Sequence, residues 1–166
     1  MTVPDTLAFR AIDEAALNKV AAGLAAGLRD GGVLYLRGEL GAGKTTFARA
    51  LLGAMGVGAR IKSPTYSLIE SYVTGDLAVH HLDLYRIADP GELEWLGLAD
   101  LTAGLHLLLV EWPERAARAL PGPDLVVSLA HAGGKRDAVL AAGSPRGVDW
   151  LRRLRKGIGS GENASA

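Results

Sequence analysis

Gly38-Glu39-Leu40-Gly41-Ala42-Gly43-Lys44-Thr45 lies between a short apolar run, Val33 to Arg37, and a helical pattern from Lys44 to about Met55. It fills every fixed position of G-x-x-x-x-G-K-[ST]. The chemistry explains the spacing. Small residues let consecutive backbone N–H groups turn inward and cradle phosphates. The helix that follows points its positive N-terminal end at the same anion. Lys44 is expected to reach the β- and γ-phosphates of a nucleoside triphosphate, and Thr45 to offer its hydroxyl to Mg²⁺. A glycine-rich turn that matched by chance would lack this context of strand before and helix after.

Outward from the loop, Asp13 can cap a helix reaching about Leu28, with Leu17, Val20, Leu24 and Leu28 on one face. Thr6 to Arg10 alternates as a strand does. Beyond Gly56, Ser67 to Val73 and Leu77 to Leu84 flank Thr74-Gly75-Asp76, and a connection that short predicts an antiparallel hairpin. Asp89 and Glu92 resemble a capping box, with Pro90 at the first helical position and Gly97 as a stop. Leu105 to Val110 is nearly all apolar, as a strand covered on both faces would be. Pro113 begins another short helix. Leu125 to Ala130 and Asp137 to Ala142 flank Gly133-Gly134, a second hairpin. A last helix carries Leu151 and Leu154. The fold class expected is α/β, a P-loop NTPase-type sheet with parallel central strands, antiparallel additions and helices on both faces.

Composition bounds the function. A chain of 166 residues, 49% of them hydrophobic, suits one domain, taken as 1–156, with a small, polar tail over 157–166 expected to be disordered. Lys plus Arg and Asp plus Glu are both 18, so no basic excess marks a dominant nucleic-acid surface. The run Arg152-Arg153-Leu154-Arg155-Lys156 could touch RNA or be a solvated helix face. Cysteine is absent, which removes disulfides and thiolate chemistry. No stretch resembles a signal-peptide core or a membrane span, and the expected compartment is the cytoplasm.

A phosphate-loop enzyme needs a further acid near its metal, usually at the end of an apolar strand. Glu111 ends the run 105–110 and precedes Trp112-Pro113; its bland alternative is an acid at a helix entry. Asp83 sits late in the strand containing His80-His81-Leu82; its alternative is a structural ion pair with Arg86. His80 and His81 adjoin, so a strand sends them to opposite faces. Both are read as structural. Trp112 beside Glu111 reads equally as packing or as a functional aromatic.

Gly38 to Thr46, Ser63-Pro64-Thr65-Tyr66, His81-Leu82-Asp83-Leu84-Tyr85-Arg86 and Glu111-Trp112-Pro113-Glu114 occur in that order. Together they resemble the bacterial TsaE (YjeE) family, the P-loop ATPase of tRNA threonylcarbamoyladenosine synthesis. The likeness runs from about Leu7 to Val139. It implies ATP and Mg²⁺ as cofactors. Gly41, Ala42, Gly43, Lys44, Thr45 and Thr46 would hold the phosphates, Thr45 and Glu111 the metal. Asp83 would act in hydrolysis and Trp112 beside the metal acid. Thr65 falls where a switch-like loop would lie, although a plain turn fits as well. Arg136 would come near the nucleotide. The partners implied are the threonylcarbamoyl transferase subunit (TsaD) and its paralogous companion (TsaB), with tRNA as the assembly's substrate. One departure is Leu82, where the family often carries an aromatic.

Two other readings compete. A small-molecule kinase would want an arginine-bearing lid, and no arginine-rich insertion separates the loop from Glu111. A nucleotide-occupancy switch without turnover would not need Lys44, Thr45 and Glu111 together. A GTPase is disfavoured because Asn18-Lys19 is followed by Val20-Ala21 and precedes the loop, so the guanine-selecting N-K-x-D pattern is absent.

Overall fold

The structure is a computed structural model that describes residues 5–58, 61–64 and 67–163. Its strands are β1 (Thr6–Ile12), β2 (Gly32–Arg37), β3 (Ile69–Thr74), β4 (Leu77–Asp83), β5 (His106–Glu111), β6 (Leu125–Ala132) and β7 (Lys135–Ala142). Among the described residues they form one sheet in the order β1-β7-β6-β2-β5-β4-β3. Strand β2 is parallel to β5 and β6, and β4 is parallel to β5. The pairs β3–β4, β6–β7 and β1–β7 are antiparallel. Both expected hairpins are present around the expected parallel centre.

The central strands are continuous apolar runs because both sheet faces are covered. Alternation along β5 sends Leu107 and Leu109 to one core and Leu108 and Val110 to the other. The first core is closed by α1 (Glu14–Ala25), α2 (Lys44–Ala54) and α5 (Pro145–Asn163), through Leu17, Phe47, Leu51 and Trp150. The second is closed by the short α3 (Glu92–Trp95) and α4 (Leu98–Leu101) and by turns near Ala116 and Leu120. Leu51 is fully buried, and truncating such a leucine to alanine costs ~2–5 kcal/mol. Leu82 is also fully buried and packs in the second core.

Helix α1 starts as read, with Asp13 Oδ1 accepting the Ala16 N–H at 2.8 Å. It ends at Ala25, and a 3₁₀ turn over Gly27–Asp30 replaces the expected last helical turn, with Gly27 against Trp150. Strand β1 continues past Arg10 to Ile12 through an irregularity in which Ala11 takes φ 49° and donates its N–H to Asp137 Oδ1 at 2.8 Å. Helix α5 runs to Asn163, through residues 157–163 of the stretch 157–166 read as a tail. Its buried anchors are Trp150, Leu151 and Leu154, and the backbone ladder propagates beyond them.

Candidate functional site

The glycine loop leaves β2 at Gly38. There φ is 150°, and a Cβ would collide with the Leu129 carbonyl of β6. Only glycine lets the chain turn that close to its neighbour. At the other end Gly43 adopts φ 105° and starts α2 with Lys44 as the first helical residue. No side chain caps that helix, and its first turn carries no acid. Its free N–H groups and positive dipole end therefore face the loop's concavity, which suits an anion.

Lys44 is 5% exposed. Its Nζ donates to the Gly38 and Glu39 carbonyls at 2.6 and 2.9 Å and lies 4.2 Å from the centre of the Trp112 ring. Burial pushes its pKa down, and Glu111, Asp83 and Glu114 oppose that shift. A cation held by backbone carbonyls and a ring face can exchange them for stronger anionic acceptors.

Sheet register delivers the acids. Glu111 follows Leu107 and Leu109 on the face covered by α2, and pairs with Leu36 of β2 and Asp83 of β4. The two carboxylates thus end adjacent parallel strands beside the loop, where ligands collect in open α/β sheets. Glu111 is 2% exposed. Its Oε1 accepts the Thr45 hydroxyl at 2.8 Å, and its Oε2 accepts from His81 Nε2 at 2.7 Å. Asp83 Oδ1 accepts the Tyr85 N–H at 3.1 Å. Burial raises the Asp83 pKa and Glu111 adds to the rise, while the Tyr85 N–H, His81 and Lys44 oppose it.

Trp112 turns the chain out of β5 in the left-handed region, φ 58°, with its N–H on the Leu36 carbonyl at 3.4 Å. A bulky residue held there is strained, and such strain clusters at functional sites. Its ring lies 5.0 Å from that of Tyr85, and the Arg115 guanidinium is 5.6 Å from Tyr85 and 5.7 Å from Trp112.

A cavity of about 450 Å³ gathers Gly41, Gly43, Lys44, Thr45, Thr46, Asp83, Glu111 and Trp112, together with Tyr85 and Arg86. Ala42 is fully buried under the loop. Arg136 lies on the other side of the loop, in a cavity of about 150 Å³ that shares Gly41, Gly43 and Thr46 and adds Ile12 and Glu14. It donates to the Ala42 and Gly41 carbonyls at 3.1 and 3.2 Å, bracing the loop from behind. Thr65 lies outside the described residues. His81, read from sequence as structural, touches Glu111 of the neighbouring strand; period two puts residues 81 and 83 on one face, but which strand lies beside them is not written in the spacing. In the basic run, Arg152 and Arg153 pair with Asp149, and Arg155 pairs with Asp5. None of the described helices is long and apolar enough to cross a membrane.

Comparison with known proteins covers the same elements. The family model described as threonylcarbamoyl adenosine biosynthesis protein TsaE matches residues 11–138. A Haemophilus influenzae protein named tRNA threonylcarbamoyladenosine biosynthesis protein TsaE is 41% identical over 110 residues, 66% of this chain and 70% of that one. A Bacillus subtilis protein of the same name is 36% identical over 127 residues, 76% of this chain and 79% of that one. The crystal structure of Bacillus subtilis YdiB superimposes with a TM-score of 0.78 at 28% identity, covering 95% of this chain and 99% of that one. The matched region runs from the end of β1 through the glycine loop and both acids into β7, and the chain belongs to the TsaE family.

Proposed function

We propose that this chain is a magnesium-dependent ATP hydrolase serving tRNA threonylcarbamoyladenosine synthesis. The observation that carries the hydrolase reading is the bonded pair Thr45–Glu111 at the head of an uncapped helix, with Lys44 beside it. The donor set fits the ligand: a hydroxyl and a carboxylate suit Mg²⁺, which prefers oxygen ligands and keeps part of its water shell. In this reading Thr45 would turn its hydroxyl oxygen to the metal and Glu111 would hold the metal's water. The ion, when bound, would neutralise charge on the β- and γ-phosphate oxygens. Lys44 would leave the Gly38 and Glu39 carbonyls for the same oxygens. Asp83, beside Glu111, would orient the attacking water, whose oxygen bonds to the γ-phosphorus as the bond to the β-phosphate oxygen breaks. Thr46 would support the phosphates, and the nucleoside would extend toward the Arg136 cavity.

The pathway comes from the family. The partners proposed are the transferase subunit TsaD and its companion TsaB, acting on tRNA in the cytoplasm. Arg86 lines the acid-bearing cavity, while Arg136 braces the loop from behind. A partner supplying a further positive group could add ~10³–10⁵ in rate. Hydrolysis by the isolated chain is therefore expected to be slow. Phosphate release should be measured for the chain alone, then with each partner, with and without Mg²⁺. Magnesium-dependent release stimulated by partners is the expected result. Full turnover alone, unchanged by partners, contradicts the assembly role, and no ATP binding contradicts the reading as a whole.

A further inference from the structure

Resting on the magnesium-dependent reading above, we infer that His81 is a positioning residue for Glu111: it ties down one carboxylate oxygen, so that the other faces Thr45, and thereby sets how much magnesium nucleotide binding requires. His81 is 0% exposed and Glu111 2%. A carboxylate only accepts, so Nε2 carries the hydrogen in the 2.7 Å contact with Oε2. The other ring nitrogen, Nδ1, is buried without a hydrogen-bond partner among the described residues. A hydrogen on Nδ1 would leave a buried donor unmet, so the proton belongs on Nε2. A side chain chosen for volume alone would be apolar here, like Val79 two residues before it on the same face. The ring instead carries an unmet Nδ1, and the bond to Glu111 is the feature that distinguishes it from a packing residue.

The arrangement is a three-member chain across three elements. His81 of β4 donates to Oε2, and Thr45 of α2 donates to Oε1. When the Thr45 hydroxyl turns toward a metal, Oε1 loses its donor and becomes free to accept from the metal's water. The imidazole keeps Oε2 occupied throughout, so the carboxylate presents one defined oxygen. Partners of this kind, outside the ligand set itself, alter metal affinity by about 10–100-fold when removed. Neighbouring His80 has no such role, because it points to the opposite side of β4 and bonds Ser71 Oγ at 2.8 Å.

The test is the magnesium concentration that half-saturates the tightening of a fluorescent ATP analogue on the full chain, with binding in EDTA as the control for pocket integrity. His81→Leu should raise that concentration about 10–100-fold and leave binding in EDTA unchanged. His81→Gln, whose amide N–H reaches the position of Nε2, should restore a value close to the parent's. In a Glu111→Gln background, His81→Leu should add nothing. A magnesium requirement unmoved by His81→Leu, or moved equally in both backgrounds, overturns the inference. If Glu111→Gln itself leaves the requirement unchanged, the metal-site reading falls first and the inference with it. If His81→Leu does not fold, His81→Asn carries the test. Its shorter amide cannot span to Oε2, and a requirement equal to the parent's then overturns the inference.

Discussion

The ends of β4 and β5 carry two acids that are partners in register, yet they are treated oppositely. Glu111 at the end of β5 has both oxygens occupied, by Thr45 and His81. Asp83 at the end of β4 accepts the Tyr85 N–H, but burial still lifts its pKa above the ordinary 3.8. One carboxylate is built into its surroundings. The other sits where its charge is costly. A fully bonded group suits a fixed role in holding a metal's water shell, and a costly one suits a role in which charge or a proton shifts during reaction.

Substitutions at each end can break this comparison. The largest effect is expected from Glu111→Gln, which removes the charge and makes one oxygen an amide donor. Phosphate release should fall about 100-fold while nucleotide binding in EDTA persists. If Asp83→Asn abolishes magnesium dependence and Glu111→Gln does not, the two roles are reversed. Next is Lys44→Ala, which removes the cation beside both acids. Loss of its charge-assisted bonds should weaken binding of a fluorescent ATP analogue roughly 10- to 100-fold with the fold intact by circular dichroism. Equal binding by parent and variant would remove Lys44 from the site.

Asp83→Asn sharpens the contrast through stability. Turnover should fall, but the unliganded chain should melt higher, by no more than roughly 2–4 °C, the shift that about 1 kcal/mol produces at this size. The sign follows from the raised pKa. Above the ordinary 3.8 the unfolded carboxyl ionises before the folded one, so the folded state loses stability as pH rises through that window. Below it both forms are protonated. The advantage of the asparagine variant should therefore grow as pH rises above 3.8 and vanish as pH falls below it, which thermal melts over a pH series would read. A variant melting lower at neutral pH would show that the Asp83 charge is compensated in the folded chain.

The smallest effect belongs to the other face of β4. Ser71→Ala removes the partner of His80 Nδ1 and should cost about 1 kcal/mol in chemical denaturation, with ATP turnover unchanged. A loss of turnover would mean that the two faces of this strand are coupled, and that the separation of His80 from His81 is incomplete.

Much of this was legible without coordinates because it is local. A phosphate loop must be glycine-rich between strand and helix, so Gly38 to Thr45 announces itself, and the apolar run 105–110 announces a strand covered on both faces. Two-residue alternation also predicted that His80 and His81 would part. The tertiary structure decided which acid meets which partner. Glu111 bonds Thr45 across 66 positions and His81 across 30, distances set by parallel crossovers that leave no trace in spacing. It also decided that Arg136 reaches the loop from behind, 94 positions from Ala42, and that Arg152, Arg153 and Arg155 of α5 pair with Asp149 and Asp5. Periodicity says which face a residue takes, because that follows from backbone geometry. Which strand lies beside it follows from burying both sheet faces at once, a property of the whole chain.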